Sequence, residues 1–372
     1  MTTTDPSANH PRRTATLLGH EAAEATILQL WRSNRLPHAF LLCGPRGIGK
    51  ATLAHRIARF VLANGTPGSQ EPSLFGDIAL PPDSLHIGAD HPVFARVTSG
   101  GHADLLTIER SVNPDTGRQR RDIVVDDIRK VTGLIRHTAA EGGWRVVIVD
   151  SADDMNQNAA NALLKVLEEP PPNVLFLLVN HASGGLLPTI RSRCRRLTLS
   201  PLSGNLFHRL LTDLRPAVDS AEDRAVIAYL TDGSIGDALQ LIDAGGLALY
   251  RECVDLLQGL GRRDIGRIQA LAERVGRSGR DEEFETLARL LDRVLALAIR
   301  HGATSGSGNT APDEIVRLAT RLLAAASLDR WVAVWDNVTR LMRQATSASL
   351  DRRQVVVTAF LTLDAVAGGG GR

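Results

Sequence analysis

The sequence predicts an α/β protein built on a parallel sheet, followed by an all-helical second half. Two observations carry that expectation. Up to about residue 200, short apolar runs alternate with helix-like segments, the pattern of strand–helix–strand units. After about Leu202 the strand-like runs stop and apolar residues recur at helical spacing.

The candidate strands, in order, are Ala39–Cys43, Leu105–Ile108, Val146–Asp150, Val174–Val179 and Arg196–Leu199. Each is a short run rich in β-branched or large apolar residues, as buried strands require. Between them Thr52–Leu62 and Asn156–Glu168 have helical spacing, with Ala159, Leu163, Val166 and Leu167 on one stripe. Pro170, Pro171 and Pro172 end the second of these helices, because proline cannot extend the hydrogen-bond ladder. The stretch 64–92 is rich in Pro, Gly, Ser and Asp and reads as an irregular insertion. In the second half, Phe284, Leu287, Leu290, Leu291, Val294, Leu295 and Ala298 mark a long amphipathic helix. Thr304–Ala311 reads as a Gly/Ser linker and Gly368–Gly371 as a frayed tail.

Composition excludes several function classes. The 372 residues fit two or three domains, and 43% hydrophobic residues are enough for a sizeable core. The longest apolar runs fall far short of the roughly 20 residues a membrane span needs, and Met1–Arg13 lacks the apolar core of a secretory signal. A cytoplasmic protein without membrane contact is expected. Cys43, Cys194 and Cys253 lie far apart, which argues against a disulfide framework and against a thiolate zinc site. His86, His91 and His102 match no helical ligand face and read as solvated loop histidines, so no metal site is expected. A net charge of +2 does not diagnose nucleic-acid binding. The local clusters Arg118/Arg120/Arg121 and Arg191/Arg193/Arg195/Arg196 read by themselves as solvated faces.

The strongest motif lies between the first strand and the helix after it. Gly44-Pro45-Arg46-Gly47-Ile48-Gly49-Lys50 has the spacing of a P-loop. Its glycines let backbone N–H groups close around phosphate oxygens, and Lys50 would reach the terminal phosphates at the positive end of the helix. One position departs from the pattern. The residue after the lysine should carry a hydroxyl for Mg²⁺, and here it is Ala51. Thr52 comes one residue late, about 100° further around the helix. ATP or ADP binding is therefore expected to be weak or without hydrolysis. Val146–Asp150 is an apolar strand ending in Asp, as a Walker B strand does. The expected second carboxylate is replaced by Ser151, with Asp153 and Asp154 starting the next segment.

Asn161-Ala162-Leu163-Leu164-Lys165-Val166-Leu167-Glu168-Glu169-Pro170-Pro171, followed by Thr189-Ile190-Arg191-Ser192-Arg193-Cys194, resembles the clamp-loader branch of the AAA+ family. The likeness covers at least Leu36–Leu202, and the helical remainder fits the same architecture. Trp335 and Leu350–Val355 are similar to the C-terminal collar of the branch's delta-prime subunits of bacterial DNA polymerase III. The resemblance implies an AAA+ α/β domain over 1–200, a small helical lid over 201–247 and a helical collar for oligomerisation over 248–372.

It also implies roles. Gly44, Pro45, Gly47, Gly49, Lys50 and Thr52 would form the nucleotide loop, with Asp150 as the Walker B acid and Asn180 at the sensor-1 position. Arg193 would act in trans on the γ-phosphate of ATP bound to a neighbouring subunit, where a rigid guanidinium stabilises the departing phosphoryl group. The implied partners are the gamma/tau and delta subunits of a heteropentamer and, through that complex, the sliding clamp and primed DNA.

Three features point within the branch to its ATPase-deficient delta-prime line: Lys50-Ala51, Asp150-Ser151, and Gly236 where a sensor arginine would follow Gly233-Ser234-Ile235. The four-cysteine zinc module of many delta-prime proteins has no counterpart, since Ala51–Arg145 contains no cysteine. Two other readings compete: an ATP-hydrolysing gamma/tau-like motor subunit that tolerates Ala51, and a small-nucleotide kinase. The kinase would need basic residues in a lid over its own phosphates. The expected enzyme status is a component of the DNA-directed DNA polymerase III holoenzyme without ATPase activity of its own.

Overall fold

A computed structural model describes residues 10–66, 82–115, 117, 119–136, 138–140, 143–181, 185–262, 264–303, 311–347 and 350–369. Expectations on 67–81 of the insertion, on Arg118, on 304–310 of the linker and on the last tail residues lie outside the described residues. The chain divides into two compact units, Met1–Leu206 and Phe207–Arg372.

The first unit runs α1 (Glu21–Arg32), β1 (Ala39–Cys43), α2 (Lys50–Asn64), α3 (Pro92–Ser99), β2 (Leu105–Ile108), α4 (Val125–Arg136), β3 (Arg145–Asp150), α5 (Gln157–Glu168), β4 (Val174–Asn180), α6 (Pro188–Arg193) and β5 (Arg195–Thr198). The five strands form one parallel sheet in the order β2-β3-β4-β1-β5. All five were legible as apolar runs; β3 begins one residue earlier than predicted, β4 ends one residue later, and β5 is shifted one residue earlier at both ends. It is an edge strand with three of its four residues exposed, so apolarity marks its limits poorly.

Alternation along the strands builds two cores. Phe40, Leu42, Val146, Ile148, Leu175 and Leu177 face one side and pack with Ile27, Leu53 and Ile57 of α1 and α2. Leu41, Val147, Val149, Phe176 and Leu178 face the other and pack with Ile128, Leu163 and Ile190 of α4, α5 and α6. Helices on both faces are what a parallel sheet needs, which is why β1 and β4 are buried at every position. The result is a three-layer α/β domain. Its register leaves the carboxyl ends of the central strands level: Cys43 pairs with Asn180, and Asp150 with Val179.

α5 starts where Asn156 accepts a hydrogen bond from the Ala159 N–H, at 2.9 Å, and stops before the prolines. The loop-histidine expectation needs correction. α3 lies between His91 and His102, and the His91 ring caps α3 by accepting from the Val93 N–H at 3.2 Å. His102 is buried rather than solvated, its Nδ1 accepting from the Asp104 N–H at 3.2 Å.

The second unit is helical among the described residues: α7 (Gly204–Leu214, entering from the first unit), α8 (Ala221–Thr231), α9 (Ile235–Asp243), α10 (Gly246–Gln258), α11 (Ile265–Val275), α12 (Asp281–Ala303), α13 (Asp313–Ala325), α14 (Leu328–Ser347) and α15 (Arg352–Gly368). The seven apolar positions that predicted the long helix are all buried on α12. α14 is fixed to it by polar contacts, with Trp335 Nε1 and Thr339 Oγ1 both donating to Asp292 Oδ1 at 2.8 Å. Asp351 caps α15 by accepting from the Arg353 N–H. No helix among the described residues is long and apolar enough to cross a membrane.

Candidate nucleotide loop and exposed arginine

The loop predicted to hold phosphate joins β1 to α2, at the carboxyl end of a central strand, where open α/β sheets bind ligands. Gly44 and Gly49 need to be glycine. Their φ angles are +149° and +102°, and a Cβ on Gly44 would stand 2.5 Å from the Leu199 carbonyl oxygen. Lys50, 2% exposed, folds back across the loop, and its Nζ donates to the Gly44 carbonyl at 2.7 Å and to the Pro45 carbonyl. Two loop carbonyls thus hold the lysine that would meet a phosphate. Ala51 and Thr52 are half-buried in the first turn of α2.

A segment that the sequence left featureless supports this loop. Residues before α1 lie along α2, whose inner face carries two buried arginines. Arg59 donates to the carbonyls of Arg12 at 3.1 Å and Thr14 at 2.7 Å, and Arg56 to that of Ala15 at 2.7 Å. Arg59 also stacks 4.6 Å over the Phe94 ring. The segment ends at His20, whose buried Nε2 lies 2.6 Å from the Ile48 carbonyl inside the loop.

The acid at the end of β3 has company that the sequence did not reveal. Ile108 pairs with Val149, so Glu109 follows β2 alongside Asp150. Burial, then the Glu109 charge, pushes the Asp150 carboxyl up to about 6, against the opposing pull of Lys50 and Arg46. The neighbouring strand thus places a second carboxylate near Asp150, though not at position 151. The signal was available: once β2 and β3 are adjacent in parallel, the residue after Ile108 meets the last residue of β3. Ser151 is buried, and Asp153 accepts from the His181 N–H at 3.1 Å just past β4. Asn180 is buried at the end of β4 beside Cys43, two strands from Glu109.

Arg193 is the last residue of α6 and 36% of its side chain is exposed. Its NH2 lies 2.8 Å from Glu168 Oε1 of α5, and its NH1 donates to the Thr189 carbonyl at 3.0 Å. The two arginines that follow Cys194 are exposed on β5, while Cys194 itself is buried with its thiol pushed up to about 12 by burial. In the second unit, Ser234 caps α9 by accepting from the Asp237 N–H, and Gly236 lies in its first turn.

Titration of buried histidines sets the acid stability of this unit. Burial, then the Arg59 charge, lowers the pKa of His55 on α2 to about 3. Burial, then Lys50, lowers that of His181 to about 4. Both lie below the ordinary 6.5, so the unfolded chain binds more protons than the folded one below that pH. Stability is full above about pH 6.5 and falls on acidification. Asp150 works in the opposite sense, since its raised pKa costs stability as pH rises from 3.8 toward 6. The two histidine shifts together exceed the one carboxylate shift, so melting temperature should drop from pH 7.5 to pH 5. His55→Leu should remove roughly 2 kcal/mol of that pH dependence. Thermal scans of both proteins across this range check it; equal slopes would contradict the assignment.

Comparison with known proteins adds the following. The family described as "DNA polymerase III, delta subunit" matches residues 89–203. The chain is 38% identical over 157 residues to DNA polymerase III subunit delta' of Pseudomonas aeruginosa, covering 42% of this chain and 41% of that one. It is 28% identical over 338 residues to the delta' subunit of Escherichia coli, covering 90% and 91%. It is 24% identical over 296 residues to subunit tau of Bacillus subtilis, covering 76% and 47%. The match thus spans less than half the length of the Pseudomonas and Bacillus relatives and nearly all of the Escherichia one.

Proposed function

We propose that the chain, similar over residues 89–203 to the family described as "DNA polymerase III, delta subunit" and along most of its length to the delta' subunit of Escherichia coli, serves as the delta-prime subunit of the DNA polymerase III clamp loader. In this reading it takes part in DNA replication by supporting ATP-driven loading of a sliding clamp onto primed DNA. It does so in the cytoplasm, with gamma/tau and delta subunits as partners in a heteropentamer. Its chemical contribution is Arg193, offered in trans to ATP on a neighbour.

The observation that carries the reading is an asymmetry between two sites on one domain. The chain's own loop keeps Gly44, Pro45, Gly47, Gly49 and Lys50 but has a methyl group at Ala51 where a metal ligand belongs. Arg193, in contrast, is held partly exposed at the end of α6. The loop would hold ATP or ADP weakly, with Lys50 and the backbone N–H groups as its ligands and little need of Mg²⁺. The lid over 201–247 and the collar over 248–372 are proposed as divisions of the helical half, the collar holding the subunits together.

One observation favours a second reading, an ATP-hydrolysing motor subunit of the gamma/tau type: Glu109 beside Asp150 could replace the acid missing at position 151. The absent hydroxyl at position 51 weighs against it.

Affinity purification of the tagged chain from its native cells tests the assignment. Gamma/tau and delta subunits should co-purify in defined stoichiometry and in amounts that survive about 0.15 M salt. Recovery of the chain alone, with those subunits present in the lysate, would contradict it.

A further inference from the structure

We infer that Glu168 is the positioning residue for Arg193, setting the guanidinium before any neighbour arrives; the inference rests on the reading of Arg193 as a group offered in trans. Glu168 is the last residue of α5, where the helix dipole disfavours a carboxylate. A negative charge there needs a local cation, and the structure provides one from another element: Arg193 NH2 stands 2.8 Å from Glu168 Oε1. Arg193 NH1 is tied separately, to the Thr189 carbonyl one turn earlier in α6. Two bonds from two helices fix the plane of the guanidinium and use two of the five N–H groups that it carries.

Both partners are more than a third exposed, so the pair is screened by water and adds little to fold stability. Its effect is on geometry. A long arginine side chain otherwise samples many rotamers and loses that freedom when it meets a phosphate. Holding it in advance lowers the cost of docking. The same screening makes the pair easy to rearrange, so Glu168 orients the arginine rather than locking it away. The two helices are in turn fixed to each other: Leu163 and Leu167 of α5 and Ile190 of α6 belong to the same buried cluster. The glutamate and the arginine are therefore anchored on one rigid surface.

The test uses complexes reconstituted with the chain as wild type, Glu168→Ala, Glu168→Gln or Arg193→Ala, each shown intact by gel filtration. Steady-state kcat and KM for ATP are measured with DNA and clamp present. Glu168→Ala should lower the arginine-dependent part of kcat by roughly 10-fold with KM for ATP little changed, because the arginine acts on the transition state. Glu168→Gln should restore most of the loss, since its amide oxygen can still accept from NH2. If Arg193→Ala is strongly impaired while Glu168→Ala matches or exceeds wild type, the positioning role is overturned and the arginine reading stands. If Glu168→Gln is as impaired as Glu168→Ala, orientation by hydrogen bonding is overturned. If Arg193→Ala itself has full activity, the arginine reading fails and the inference with it.

Discussion

The purified chain is expected to turn over ATP at a rate indistinguishable from background. Position 51 offers a methyl group where the metal needs a hydroxyl, and position 151 offers a buried serine where a carboxylate would orient water. Losing a metal ligand and a water-orienting acid together costs several kcal/mol of barrier, on the order of 10³-fold in rate or more. A fluorescent ADP analogue should still bind, with nearly the same affinity in EDTA as in Mg²⁺, because the backbone cradle and Lys50 remain. Steady turnover of about 1 per second that vanishes in Glu109→Gln would show that the neighbouring strand supplies the missing acid. The motor-subunit reading would then take precedence.

Arg193→Ala should leave the chain folded and able to assemble, while the complex loses most of the stimulated ATPase of one neighbouring site. The fold should not suffer, since the ion pair to Glu168 is exposed on both sides and such pairs are worth about 0–1 kcal/mol. The catalytic loss is large because arginine fingers contribute roughly 10³-fold or more at a single site. Total turnover should fall by less in a complex that contains several ATP sites. Arg193→Lys should not restore activity: an ammonium on a flexible stem makes neither the planar fork nor the double tie to Glu168 and the Thr189 carbonyl. Gel filtration and stimulated ATPase on the same preparations check both halves of the prediction.

Most of the sheet was legible because its central strands are buried on both faces and therefore read as unbroken apolar runs. Val174–Val179 needed no tertiary knowledge, and the glycines of the phosphate loop announced themselves by spacing. Three features escaped. The segment before α1 is polar and aperiodic, so nothing local indicates that Arg56 and Arg59 would draw its carbonyls onto α2 or set His20 against the loop. Glu109 was missed because its meaning depends on strand order: it matters only when β2 lies beside β3, a relation between residues about 40 positions apart in sequence. His102 reads as solvated because its spacing from His86 and His91 fits no helical ligand face, whereas its ring is buried and accepts from the backbone at Asp104. Arg193 was legible as a residue of interest through its motif, but its tie to Glu168 was not, because the sequence does not state how α5 and α6 pack.

The central claim is that this chain lends an arginine outward while its own phosphate loop stays idle. The most direct measurement compares two single variants in otherwise identical reconstituted complexes: Lys50→Met, which removes the loop's cation, and Arg193→Ala, which removes the outward one. DNA- and clamp-stimulated ATP turnover is read for each against wild type. The account predicts that Lys50→Met leaves turnover within about twofold of wild type, while Arg193→Ala abolishes the contribution of one site. Loss of turnover in Lys50→Met together with full activity in Arg193→Ala would contradict it.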